Sequence, residues 1–400
     1  MRNISSLTGV RGVAALWVML YHVSQMGPAI GAHWIANVGG LSEGWIGVDL
    51  FFVLSGFILM WAHGPEFAYP SLGAFRRFFA TRFVRVYPLS FLVLVLIVLL
   101  AWADPHFVTW CRARNPDNFS FSAFLRTAFL ATRWIDPNGG DWNQPVWSLS
   151  AEIVGYAAFP LLAWAIATCS IRTVATIAAI CLAALAAFQI SMGTASVNTI
   201  DQVSALARMA CCFTVGIATC RLRDRMLSEH VSAHTASVSL VICLALGACL
   251  QFRTGHVLAP LGFAALVFCL SFGNGVVNQL LSSNVPVFLG RISFPLYLFH
   301  VTPLLWIVSH CQHAHLGQGA ATSVLLAYGI GCVASAWLLH HLVEQPLHRW
   351  AKRRFPAASE RSLDLRRLQR ACALSGGNHQ MKRRGPQDSL AAGLTMSGKD

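Results

Sequence analysis

Residues 83 to 103 read FVRVYPLSFLVLVLIVLLAWA. After Arg85 this run carries no charge, and apolar residues follow one another instead of alternating with polar ones. A helix rises 1.5 Å per residue, so about 20 such residues cross the ~30 Å hydrocarbon core of a bilayer. Runs of the same kind recur at roughly 9–27, 45–62, 146–167, 171–190, 203–221, 234–251, 257–273, 290–310 and 321–343, which predicts ten spans in all. Continuous apolarity selects helices over a β-barrel, whose strands alternate. The expected fold is therefore all-α, a polytopic transmembrane helix bundle forming one membrane domain over residues 1–350.

Composition supports this. The 400-residue chain is 56% hydrophobic and only 11% charged, with a mean hydropathy of +0.57, far from the quarter or so of charged residues usual in soluble domains. The formal net charge of +13 could suggest nucleic acid. Its distribution excludes that partner: Arg349 to Asp400 holds 12 Lys or Arg against 4 Asp or Glu, a net of +8. Basic segments beside a span belong on the cytoplasmic side, against anionic lipid. Residues 351–400 are thus read as a basic cytoplasmic tail, and their polar, aperiodic composition predicts disorder from Phe355 onward.

An even number of spans puts both termini on the same, cytoplasmic, side of a bacterial inner membrane. The basic loops agree, since Arg76, Arg77 and Arg82 fall in the second loop and Arg221, Arg223 and Arg225 in the sixth, both inside by this count. The long third loop, 104–145, is outside and balanced in charge, and Phe119 to Thr132 is expected to lie along the outer interface as a short helix. The first apolar run has no small-residue cleavage signal and is read as a retained span. The 12 cysteines contain no CxxC pair and most sit in apolar runs, as small core residues. No internal repeat is present.

A titratable group within a span costs at least ~2.5 kcal/mol on insertion scales, so each one asks for a reason. Arg11, His22, Asp49, Arg85, Glu152 and His300 are such groups. Counted by rise per residue, His22, Asp49, Glu152 and His300 fall in one layer, about 20 Å from the cytoplasmic side. Arg11 and His22 are close to three turns apart and share a helix face, with Arg11 at the cytoplasmic mouth. Arg82 and Arg85 share a face at the same level. Three guanidinium groups at one mouth suit phosphate, which their planar forks bind bidentately; the plainer reading of Arg82 and Arg85 is as snorkelling positive-inside anchors. Asp49 and Glu152 could equally serve as interhelical hydrogen-bond partners. His310, His313 and His315 beside Cys311 have loose metal-ligand spacing, and no metal is expected there.

In these residues the chain resembles the acyltransferase family 3 of bacterial membrane proteins. The resemblance rests on RGVAALWVMLYH (Arg11 to His22), GWIGVDLFFVLSGFIL (Gly44 to Leu59), RFVRVYPL (Arg82 to Leu89), WSLSAEIVGY (Trp147 to Tyr156), ISFPLYLFH (Ile292 to His300) and VEQPLHRW (Val343 to Trp350). It implies an acyl-CoA donor, acetyl-CoA on family grounds, reaching the site from the cytoplasm. It also implies an essential His22, with Arg11, Arg82 and Arg85 holding the coenzyme. Ser148, Tyr156, Tyr297 and His300 fall in the same motifs and are candidates to touch the acceptor or support the site. Gln345 departs from the family, which more often has a basic residue before the proline. No hydrolase-like domain follows the last span, so acceptor specificity is expected from the membrane domain and its outer loops.

The expected activity is O-acyl transfer from cytoplasmic acyl-CoA to a hydroxyl of an extracytoplasmic glycan such as O-antigen or exopolysaccharide. His22 is the expected base, because histidine titrates near working pH. Asp49 or Glu152 would orient it or bind the acceptor, and direct transfer and an acyl-histidine both remain open. The alternatives are a small-molecule acceptor such as an antibiotic, or a secondary transporter or acyl-group translocator using the same buried groups as a path.

Overall fold

The computed structural model describes residues 4–132, 134, 139–192, 202–226, 229–249 and 255–356, and no strand occurs among them. The helices are α1 (Ser5–Met26), α2 (Gly47–Phe67), α3 (Leu72–Ala103), α4 (Pro105–Arg112), α5 (Phe121–Ala128), α6 (Val146–Thr168), α7 (Ile171–Met192), α8 (Gln202–Arg225), α9 (Glu229–Cys249), α10 (Ala259–Leu270), α11 (Val276–Leu281), α12 (Asn284–Arg291), α13 (Ser293–Phe299), α14 (Val301–Cys311), α15 (Gln318–Leu339) and α16 (Gln345–Arg354). The all-α polytopic bundle is as expected. The chain divides into one unit over Met1–Ala351 and another over Lys352–Asp400, and the basic tail beyond residue 356 lies outside the described residues.

The ten predicted apolar runs all fall on helices, and two of these helices are short in apolar length. Among the described residues eight helical segments are long and apolar enough to cross a membrane. The predicted seventh and eighth spans correspond to shorter apolar helices, Val238–Cys249 and Ala259–Leu270. Twelve residues of α10 cover about 18 Å, well short of the hydrocarbon core. Its last carbonyl is capped by side chains from elsewhere in the chain, since Ser6 and Asn278 both donate hydrogen bonds to the Leu270 carbonyl, at 3.2 and 2.8 Å. The chain then turns through Gly273, whose φ of +83° suits glycine. α9 and α10 pack on each other as a pair, so the even parity is the same with or without them.

Two other spans differ in form. α3 begins at Leu72 rather than 83, with the Ser71 hydroxyl accepting from the Ala74 N–H at 3.1 Å. At 32 residues it is about 48 Å long, so its arginine-bearing first turns extend beyond the apolar layer. The ninth predicted span is α13 followed by α14. Pro303 has no N–H for the Phe299 carbonyl, while the His300 backbone stays helical at φ −63° and ψ −33°, so the axis continues through the join.

Glycines set the closest crossings. A side chain on Gly56 of α2 would collide with the Phe213 backbone of α8, and one on Gly216 of α8 would collide with the Val53 backbone of α2. The contact is reciprocal, and it brings the helices near enough for Asp49 and Arg208 to meet. Gly12 of α1 and Gly290 of α12 are equally confined, by Pro286 and Thr8 respectively. Small residues allow such approach in a bilayer, where packing rather than water exclusion drives association.

Two faces can be defined: a proximal one, where α1 begins, and a distal one, where it ends. Over the distal face, the described residues of 104–145 form a knot around Asp117. Its Oδ2 accepts from Arg126 at 2.6 Å and from the Gly140 N–H at 2.9 Å. Partial burial pushes the Asp117 carboxyl up, but hydrogen bonds from Ser120, Arg126 and Gly140 outweigh it and hold the group below the usual carboxylate range. The expected interfacial helix over 119–132 is shorter, only α5, with Phe121 and Phe129 exposed beside it. Asn143 ties the knot to the bundle by donating to the Leu298 carbonyl at 3.1 Å.

Candidate active site

Two cavities among the described residues hold the titratable groups singled out above other than Asp49. The proximal one, about 850 Å³ with its mouth, is lined by Arg11 of α1, Arg82 and Arg85 of α3, and Glu152 and Tyr156 of α6. The distal one, about 750 Å³ with its mouth, holds His22, His300, Trp45, Trp147 and Arg208. Val48 and Tyr297 line both. The Tyr297 hydroxyl is bonded to the Ser148 hydroxyl at 2.7 Å, and this buried pair stands where the cavities approach each other.

The three arginines expected to act together thus line one cavity. Arg82 reaches α2, its Nη2 3.0 Å from His63 Nε2, and its Nε is buried with no hydrogen-bond partner. Glu152 is held by two hydroxyls on one oxygen: Ser55 donates to Oε1 at 2.5 Å and Tyr156 at 2.9 Å. A polar, cationic recess on an otherwise apolar path is what a phosphate-bearing ligand with a slender chain requires.

In the distal cavity the two histidines meet. His300 is fully buried, and its Nδ1 lies 2.8 Å from the Tyr297 carbonyl and 3.2 Å from that of Leu296. Facing only acceptors, Nδ1 must carry the hydrogen, which leaves Nε2 as an acceptor. That Nε2 lies 3.2 Å from His22 Nδ1, which is also 2.9 Å from the Val18 carbonyl. The same inference puts the hydrogen of His22 on Nδ1 and leaves its Nε2 lone pair unprotonated. Tyr328 fixes the far side by donating to the His300 carbonyl at 2.8 Å.

Asp49 and Glu152 are elsewhere. Neither carboxylate is hydrogen-bonded to His22. Asp49 is wholly buried and accepts from Arg208 Nε at 2.8 Å. Arg208 was not singled out from the sequence, though it stands six residues into a predicted span, where the reasoning applied to Glu152 also applies. A fully buried aspartate requires a counter-charge, and that demand was the signal available. The Arg208 guanidinium carbon lies 4.9 Å from the Trp45 ring centre and 5.4 Å from that of Trp147, so charge and aromatic faces share one wall. Ser148 and Tyr297 form the pair between the cavities, Tyr156 stands on Glu152, and His300 on His22. The loop histidines 313 and 315 take no part.

Comparison with known proteins gives the same direction. The family described as "Acyltransferase domain" matches residues 4–341. "Acyltransferase MdmB" of Streptomyces mycarofaciens is 25% identical over 394 residues, 89% of this chain and 95% of that protein. "Putative peptidoglycan O-acetyltransferase YrhL" of Bacillus subtilis is 23% identical over 376 residues, covering 88% of this chain and 56% of that protein. "Protein 2 in picA locus" of Rhizobium radiobacter is 32% identical over 164 residues, 38% of this chain and 78% of that one. No solved structure matches the chain.

Proposed function

The chain belongs to this acyltransferase family, and from that premise we propose that it moves an acyl group, acetyl in the simplest case, from coenzyme A in the proximal cavity to a glycan hydroxyl in the distal one. The observation that carries this reading is the division of labour between the cavities: guanidinium groups line one, the paired histidines the other, and Val48 and Tyr297 are common to both.

Arg11, Arg82 and Arg85 would hold the phosphates at the mouth, and the pantetheine arm would run toward Tyr297. Arg11 to His22 spans eleven residues, about 16 Å, a distance an extended arm can cover. The acceptor O–H gives its proton to His22 Nε2 as its oxygen attacks the thioester carbon. The carbon–sulfur bond then breaks, and the departing thiolate takes the proton from the His22 imidazolium. His300 accepts from His22 Nδ1 throughout, holding the ring in its working tautomer. Hydroxyls at Tyr297 and Ser148 lie on the expected path of the thioester and could stabilise the oxyanion. An acyl-histidine route would use the same His22 nitrogen.

The distal cavity is walled by Trp45 and Trp147 and carries the amides of Gln25 and Gln144. Flat aromatic faces with amides suit a sugar ring and its hydroxyls, which favours a glycan over an apolar small molecule. The name of the Bacillus relative points the same way. In this reading the proximal face is cytoplasmic, the membrane is the bacterial inner membrane, and both termini lie inside.

Purified protein in detergent, given acetyl-CoA and glycan fragments, should release free coenzyme A and yield ester-bearing product in equal amounts. Neither release nor ester formation with any glycan offered, under conditions where coenzyme A binds, would favour a translocator.

A further inference from the structure

Asp104, His106 and His310 are brought together on the distal face, outside both cavities. Asp104 ends α3 and caps α4, accepting from the Phe107 N–H at 3.1 Å; His106 is in the first turn of α4, and His310 in the last turn of α14. One donor atom from each lies within 4.8 Å of the other two. His310 Nδ1 faces the Trp306 carbonyl at 3.0 Å and the Ser309 hydroxyl at 2.9 Å. That hydroxyl gives its own hydrogen to the Trp306 carbonyl, so Nδ1 carries a hydrogen and Nε2 is the nitrogen left to face a cation. Nε2 points at Asp104 Oδ2, 3.2 Å away. Trp306 Nε1 donates to that same oxygen at 2.8 Å, fixing its direction.

An imidazole nitrogen this close to a carboxylate oxygen needs a proton or a metal ion between them, and a third ligand atom within 4.8 Å favours the metal. Ligands bound about 2.0 to 2.1 Å from a tetrahedral zinc stand about 3.3 Å apart, close to the separation found. Backbone support behind one imidazole and an indole behind the carboxylate are the outer contacts that orient metal ligands. We propose that Asp104, His106 and His310 bind a divalent transition metal of the zinc class, with a fourth position open to water. His106 is exposed and completes the set by a side-chain rotation. The ion would clamp the distal end of α3, which carries Arg82 and Arg85, to α14, which begins beside His300. The proposal rests on the fold and stands independently of the acyl-transfer reading.

The test is calorimetric titration of zinc chloride into full-length protein in detergent, purified without a polyhistidine tag, stripped with chelator and desalted. One saturable site is expected. It should be lost in His106→Ala and in His310→Ala and retained in His313→Ala and His315→Ala, with all four variants matching wild type in thermal unfolding without metal. No saturable binding by wild type, or binding that survives in His106→Ala, would overturn the site and leave an imidazolium–carboxylate pair. Loss in the His313 or His315 variants with retention in His106→Ala would do the same, by moving the ligands to the loop.

Discussion

At His22 the neighbours decide which nitrogen is free. Two carbonyl oxygens fix the His300 tautomer, and His300 with the Val18 carbonyl fixes that of His22. His22→Ala should therefore abolish transfer, a loss of at least the 10² to 10⁴-fold typical of general bases, at unchanged membrane levels. His300→Gln should lower kcat less and move the pH profile; an unaltered profile with normal kcat would remove its positioning role. At the arginines the fork matters. Arg82→Ala should weaken coenzyme A binding and Arg82→Lys restore it only in part, because lysine keeps the charge and loses bidentate geometry. Equal affinity for lysine and arginine variants at matched expression would return Arg82 to a membrane anchor. Helical rise put His22, Asp49, Glu152 and His300 in one layer, whereas Glu152 lines the proximal cavity with the arginines and the two histidines line the distal one. Rise gives height along a helix and says nothing of azimuth, which depends on how α2, α6 and α8 rotate against each other. Asp49 and Glu152 thus bond to Arg208, Ser55 and Tyr156 instead of to His22.

Helices were legible wherever length and apolarity coincided, and misjudged where they parted. The opening turns of α3 are polar and still helical, because hydropathy reports the surroundings of a helix and Ser71 supplies the cap. α10 is apolar and yet short, and side chains from elsewhere in the chain cap its last carbonyl, that of Leu270. The α2–α8 crossing has no slack: Gly216→Val would drive a side chain into the Val53 backbone. It should cost about 1–3 kcal/mol or more, seen as a lower unfolding temperature in detergent, whereas Gly331→Val in α15, with open space around it, should be neutral. The distal knot should respond to acid. The Asp117 carboxyl is held below its ordinary value of 3.8, so its contribution is complete above about pH 4 and is lost as pH falls through the lower, folded value. Limited proteolysis within 104–145 should accelerate in that range. Asp117→Asn should be cleaved faster at neutral pH and lose the acid dependence; identical cleavage of both proteins at pH 7 would show that the carboxylate does not hold the knot.

For the whole molecule, parity is the testable property. Eight long spans and ten spans both return the chain to the side on which it started, so reporter fusions after Arg225 and Arg354 should read cytoplasm and one near Ala131 periplasm. The reverse pattern would separate the arginine cavity from the acyl-CoA pool and defeat the proposed direction of transfer. The helical architecture could be anticipated from hydropathy because that pattern is one-dimensional. The approach of two cavities from opposite faces could not, since it exists only once α1, α2, α6 and α13 are packed. That approach bears on the energetics of the cell. A protein open to both sides would let protons run down their gradient, and every turnover would be accompanied by loss of membrane potential. In the proposed reading the Tyr297 and Ser148 hydroxyls, bonded to each other, would act as a seal that parts only for a thioester. An enzyme working in the proposed way would export a chemical group while the ions stay where they are.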